Sequence, residues 1–117
     1  FIYSLIKRFV VEVMEIIPLE KVPTKQEAQV IIRQLAKLDK ISWTLHSKQR
    51  MSERNIIMSA VKNCLEKGTV VEEPYRVYEY GGGYRATVEK QTAGKFLQVV
   101  LTLKYTQRLL IITTMWD

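Results

Sequence analysis

The sequence predicts an α+β domain in which N-terminal helices pack on one face of a four- to five-stranded antiparallel sheet. Three observations lead there. Apolar residues recur at helical spacing as far as Lys67. From Val70 onward the period changes to two and Thr, Val, Tyr and Ile are enriched. Turn residues then recur at roughly ten-residue intervals, which suits strands joined by short turns to antiparallel neighbours.

The elements follow in chain order. Apolar positions 2, 5, 6, 9, 10, 13, 14 and 17 describe a first helix that ends before Pro18, and Pro18 to Pro23 is a connector. A second helix opens on a capping box, Thr24 to Glu27, and continues through Val30, Ile31, Leu35 and Leu38, with Lys37 and Lys40 near its end. The stretch from Thr44 to Lys67 reads as two short helices divided at Arg54-Asn55-Ile56, because Asn tolerates the left-handed conformation that ends a helix. The later one turns Ile57, Val61, Cys64 and Leu65 inward and stops at Gly68. Expected strands are Tyr75 to Tyr80, Tyr84 to Lys90, Phe96 to Lys104 and Leu109 to Trp116. They are joined near Gly81-Gly82-Gly83, Thr92-Ala93-Gly94 and Tyr105-Thr106-Gln107.

The chain has 117 residues, 47% of them apolar, enough for one ordinary core and too few for a second. It opens on Phe1 within what reads as the middle of a helix, so it is expected to be a piece of something longer. Lys7, Arg8, Glu12 and Glu15 interrupt the first apolar segment, which is therefore too short to cross a bilayer and has no signal-peptide cleavage pattern. One cysteine, Cys64, and one histidine, His46, exclude an internal disulfide and a Cys/His zinc site of the usual ligand count. No metal or other cofactor is expected. The net charge of +6, with an isoelectric point near 9.5, suits a polyanionic partner, since neutralising phosphates releases counterions.

Chemistry concentrates in His46-Ser47-Lys48-Gln49-Arg50-Met51-Ser52-Glu53-Arg54. On a helix His46, Arg50, Glu53 and Arg54 project from a common arc of about 100°, which is either a solvated surface or part of a polar site. A sheet face with Arg85, Thr87, Glu89, Gln98, Thr102 and Lys104 is the second polar surface. One of Thr113 and Thr114 must join it. Gly81-Gly82-Gly83 lacks the features of a phosphate loop and reads as a flexible connector. Cys64 reads as a small core residue.

His46, Arg50-Met51, Glu53-Arg54, Ile56, Val61, Leu65, Gly68, Tyr75-Arg76, Ile111-Ile112-Thr113 and Trp116 together resemble the pattern of the domain family DUF4258. The chain departs from that pattern at Asn55 and Ile57, where the family has Gly followed by a Ser or Thr cap. The family is similar to the barnase/EndoU/colicin/RelE (BECR) group of ribonuclease toxins, which occur in toxin–antitoxin pairs and as C-terminal domains of contact-dependent inhibition (CdiA-type) and other polymorphic toxins. The resemblance implies a single toxin domain over 1–117, with a helical pair in 1–42 and a catalytic core in 43–117. It implies metal-independent cleavage of RNA, with transfer RNA a candidate substrate, through 2′-hydroxyl attack to a 2′,3′-cyclic phosphate.

In that reaction His46 would be the acid or base, because the ordinary pKa of histidine lies near neutrality. Arg50 and Arg85 would stabilise charge on the phosphorane, and Thr113 would donate a hydrogen bond. The second acid/base is open between Glu53, a tyrosine such as Tyr84, a lysine and the substrate. Lys48, Arg54, Tyr84 and Trp116 would bind RNA, the basic groups on phosphate and the aromatics stacked on bases. The expected partners are RNA, an acidic immunity protein or antitoxin, and the larger effector that delivers the domain to the cytoplasm of a target cell. No membrane insertion by the domain itself is expected. Two other classes compete: a non-catalytic ParE-like toxin that binds a protein target, and an RNA-binding module without activity.

Overall fold

The computed structural model describes residues 21–117; the helix expected over 2–17 and the start of the connector lie outside them. Three helices, α1 (Lys25–Lys37), α2 (Leu45–Glu53) and α3 (Met58–Lys67), accompany six strands. The strands are β1 (Ile41–Trp43), β2 (Thr69–Val70), β3 (Tyr75–Val77), β4 (Gly83–Thr92), β5 (Lys95–Lys104) and β6 (Arg108–Trp116). They form one sheet in the order β1-β6-β5-β4-β2, with β3 also paired to β4. Every pairing is antiparallel except β1 with β6. The fold is α+β, as the sequence predicts.

The capping box forms as expected: the Thr24 hydroxyl accepts from the Glu27 backbone N–H and the Glu27 carboxylate accepts from that of Thr24. Buried Ala28, Ile31, Ile32, Leu35 and Ala36 then follow the i, i+3, i+4 spacing of a helix face set against a core. Val30 sits off that line and is exposed, contrary to its expected place in the apolar stripe. Asp39 closes α1 by taking the left-handed conformation, φ 58°. Asn55, φ 56°, separates α2 from α3 in the same way, as expected. Ile57 is the N-cap of α3 and points to solvent, so the core stripe of that helix is Val61, Cys64 and Leu65.

Gly68 ends α3 in an extended conformation, not a left-handed one. Its requirement is space. A Cβ there would lie 2.5 Å from the Cys64 carbonyl oxygen and 2.8 Å from that of Glu89, which is how the chain enters β2 so close to β4.

The sheet turns Tyr84, Ala86, Val88, Leu97, Val99, Leu101, Leu103, Leu109 and Ile111 toward the helices, where they bury with Ile31, Ile32, Leu35, Val61 and Leu65. Ala93 (φ 53°) and Gly94 (φ 80°) form the two-residue β4–β5 turn, whose paired positive φ angles match the twist of a tight hairpin. The Gly81–Gly83 run is not a loose connector. Gly83 is buried at φ 149°, where a Cβ would come within 2.5 Å of the Leu103 carbonyl oxygen, and Gly82 lies against the Tyr105 ring. The strand expected over Tyr75 to Tyr80 ends at Val77, and Glu79–Gly81 form one 3-10 turn.

β6 carries a bulge. Val100 pairs with Thr113 and Leu101 with Ile111, so Ile112 is the extra residue and the inward–outward alternation resets there.

Candidate active site

Residues paired directly across antiparallel strands share a face. The register therefore places Arg85, Thr87 and Glu89 of β4 beside Thr102, Val100 and Gln98 of β5, on the face turned away from the helices. Thr113 pairs with Val100 and joins this open face, whereas Thr114 pairs with the core residue Val99 and is fully buried. The bulge at Ile112 is what settles the two threonines.

Arg85 is the best-defined group on this face, where its neighbours Thr87 and Thr102 are themselves buried. Its Nε donates to the Thr102 hydroxyl at 3.2 Å, its side chain is 12% exposed, and Nη2 lies 3.7 Å from a Glu79 carboxylate oxygen. That distance is an ion pair but too long for a hydrogen bond, and buried Nη2 has no hydrogen-bond partner. A guanidinium fixed at one nitrogen and unbonded at another keeps a donor for an anionic oxygen. Around it the Thr87 hydroxyl donates to Glu72 at 2.9 Å and Gln98 donates to Glu89 at 2.7 Å. The Lys104 ammonium donates to the carbonyl of Tyr80.

The histidine helix is held by the edge of β6. Thr44 caps α2 by accepting from Ser47 N–H while its own hydroxyl donates to the Ile111 carbonyl at 3.0 Å. Ser47 and Met51 are the buried residues of α2. His46 and Lys48 are exposed and, among the described residues, His46 has no hydrogen bond or ion pair. Arg50 is paired forward to Glu53 at 2.7 Å rather than back to His46. His46 and Arg50 thus stand on the outer side of a helix whose inner side meets the core, while Arg85 and Thr113 face away from that core. No hydrogen bond or ion pair joins the two sets.

Three residues expected to touch RNA are engaged otherwise. The Arg54 guanidinium donates to the Thr114 carbonyl, and the Trp116 indole N–H donates to the Arg54 carbonyl at 2.9 Å, so this pair fastens the end of α2 to β6. Trp116 also lies under the Lys95 ammonium, 5.9 Å from the ring centre. Tyr84 is a correction: it is 3% exposed, edge-on to Tyr105 and beneath Arg76 on the helix side of the sheet. A base cannot stack there. Alternation within Tyr84 to Lys90 carries that signal already, since Tyr84 shares its face with Ala86 and Val88.

Glu79 and the exposed Tyr75, Tyr78 and Tyr80 were not among the expected site residues. Strand pairing sets Tyr75 opposite Arg85, and the turn after β3 brings the Glu79 carboxylate to the guanidinium. Burial pushes the Cys64 thiol up to about 12, so it is a protonated core group. Among the described residues no three His, Cys, Asp or Glu side chains converge as a metal site, and no helix is long and apolar enough to cross a membrane.

Residues 43–116 match the profile of a family described as a domain of unknown function, DUF4258. No curated protein and no solved structure matches the chain.

Proposed function

The chain belongs to the DUF4258 family, and from that premise we propose that it is a toxic endoribonuclease of the BECR type that cleaves RNA without a metal ion. The observation that carries this proposal is Arg85, held by Thr102 on the open sheet face with Nη2 unsatisfied. The net charge of +6 supports a polyanionic substrate.

In the proposed reaction the ribose 2′-oxygen attacks its own phosphodiester. The 2′-O–P bond forms, the P–O5′ bond breaks, and the products are a 2′,3′-cyclic phosphate and a free 5′-hydroxyl. One group takes the 2′ proton and another supplies a proton to the 5′-oxygen. Arg85 stabilises the charge that builds on the nonbridging oxygens, and Thr113 on the same face donates a hydrogen bond. His46 serves as one proton-transfer group, because its imidazole is exposed and, among the described residues, has no hydrogen bond or ion pair. For it to act on the phosphate held by Arg85, the RNA must pass over the β6 edge beside α2. Glu79, at the guanidinium, joins the candidates for the other group. Arg50, Lys48 and the acidic immunity protein or antitoxin that would cover the basic surface belong to the same proposal, as do delivery within a larger effector and action in the cytoplasm of a target cell.

A second reading, a non-catalytic toxin that binds a protein, is favoured by exposed Leu45, Ile57 and Met58 at the ends of α2 and α3. Expression in bacteria of the wild-type chain and His46→Ala separates the two. The nuclease predicts growth arrest with RNA fragments on a denaturing gel, both relieved by the substitution. Growth arrest with intact RNA in both strains supports the protein-binding toxin instead.

A further inference from the structure

Tyr75, Tyr78 and Tyr80 lie within six residues of one another and are 51%, 82% and 55% exposed. An exposed tyrosine leaves a large apolar ring in water, and three so close form an unusual surface. Among the described residues none of these rings pairs with another aromatic ring and none of the hydroxyls has a hydrogen-bond partner.

Tyr75 pairs with Arg85 in the β3–β4 register and so shares the open face with that guanidinium. Tyr80 has φ 55° and ψ 32°, a left-handed conformation that bulky side chains rarely adopt. Its carbonyl is held by the Lys104 ammonium, and the turn behind it rests on Gly82 and Gly83, both at positive φ. The chain therefore maintains a strained backbone that leaves this ring 55% exposed, one residue after Glu79, whose carboxylate pairs with Arg85.

We infer that Tyr75, Tyr78 and Tyr80 form a stacking platform for the unpaired bases of single-stranded RNA, next to Arg85. The inference rests on the ribonuclease proposal for the choice of ligand and names the substrate's form. Aromatic faces accept any base but only an unstacked one, so duplex RNA is excluded. The local charge sharpens this. Arg85 and Lys104 are accompanied by Glu72 and Glu79, so phosphate attraction is partly cancelled and stacking supplies most of the affinity.

The test is fluorescence anisotropy with a labelled single-stranded oligonucleotide of 2′-O-methyl RNA, which lacks the attacking hydroxyl, and with the duplex of the same sequence. The wild-type chain binds the single strand in preference to the duplex. Its salt dependence is shallow, about one to two phosphates' worth. Each of Tyr75→Ala, Tyr78→Ala and Tyr80→Ala weakens binding by roughly tenfold, while the Phe variants retain it and all melt as the wild type does. If wild-type chain binds and cleaves RNA but the Ala variants bind equally well, the platform is wrong and the ribonuclease stands. If the wild-type chain binds no RNA, both fall. Preference for duplex, or for an acidic protein with no RNA binding, overturns the platform directly.

Discussion

Thr114→Val should make the protein more stable. The Thr114 side chain is fully buried on the helix side of β6, and its hydroxyl has no hydrogen-bond partner. A hydroxyl left unpaired in a core costs about 1–3 kcal/mol of desolvation. Valine keeps the branched shape that packs against Val99 while removing the polar atom. The expected gain is about 1–2 kcal/mol, or roughly 4 °C in Tm per kcal/mol for a chain of this length. Urea unfolding followed by circular dichroism measures it as a higher midpoint at unchanged m-value. RNA cleavage should not change, because the open face is untouched. Thr113→Val has the opposite profile, with little change in stability and about a tenfold or greater loss of cleavage. Destabilisation by Thr114→Val, or loss of activity from it at unchanged stability, would refute the register that sends Thr114 inward and Thr113 outward.

Gly68→Ala should destabilise by about 2–3 kcal/mol, read by thermal melting, because the added Cβ meets backbone oxygens at 2.5 and 2.8 Å that cannot move without parting α3 from β4. Arg54→Ala should lower stability by about 1–2 kcal/mol through loss of its bond to the Thr114 carbonyl, yet leave the salt dependence of RNA binding unchanged; a reduced salt slope would make Arg54 a phosphate ligand after all. The Cys64 pKa rises from 9.0 to about 12 on folding, so the unfolded chain releases this proton first and the thiol's contribution to stability is lost as pH climbs from about 9 to about 12. Thiol labelling near pH 8 should accordingly be slow in the native protein and fast in urea; rapid native labelling would contradict its burial.

Local signals read well from this sequence. Thr24 and Glu27 form the capping box, Asn55 divides the helices, and Ala93-Gly94 turns the hairpin because each effect depends on a few adjacent residues. What escaped depends on distant partners. Ile41–Trp43 is only three residues between two helices, too short to show a period, and becomes a strand because β6 lies alongside it. Ile57 fits an apolar stripe but caps α3, since Asn55 shifts where the helix begins. Thr113 and Thr114 could not be told apart while the bulge at Ile112 was unknown, because one extra residue exchanges the faces of everything beyond it. The candidate site was legible in part. Arg85 and its face follow from alternation, whereas Tyr75 and Glu79 reach Arg85 only through the pairing of β3 with β4 and the turn after it.

The central claim, that Arg85 on the open sheet face stabilises a metal-independent RNA cleavage, is tested most directly by single-turnover cleavage of end-labelled RNA in excess EDTA. The account predicts products ending in a 2′,3′-cyclic phosphate from the wild-type chain. It also predicts a rate at least about a hundredfold lower for Arg85→Ala at unchanged thermal stability. Undiminished cleavage by Arg85→Ala, or wild-type products ending in a 3′-hydroxyl, would contradict it.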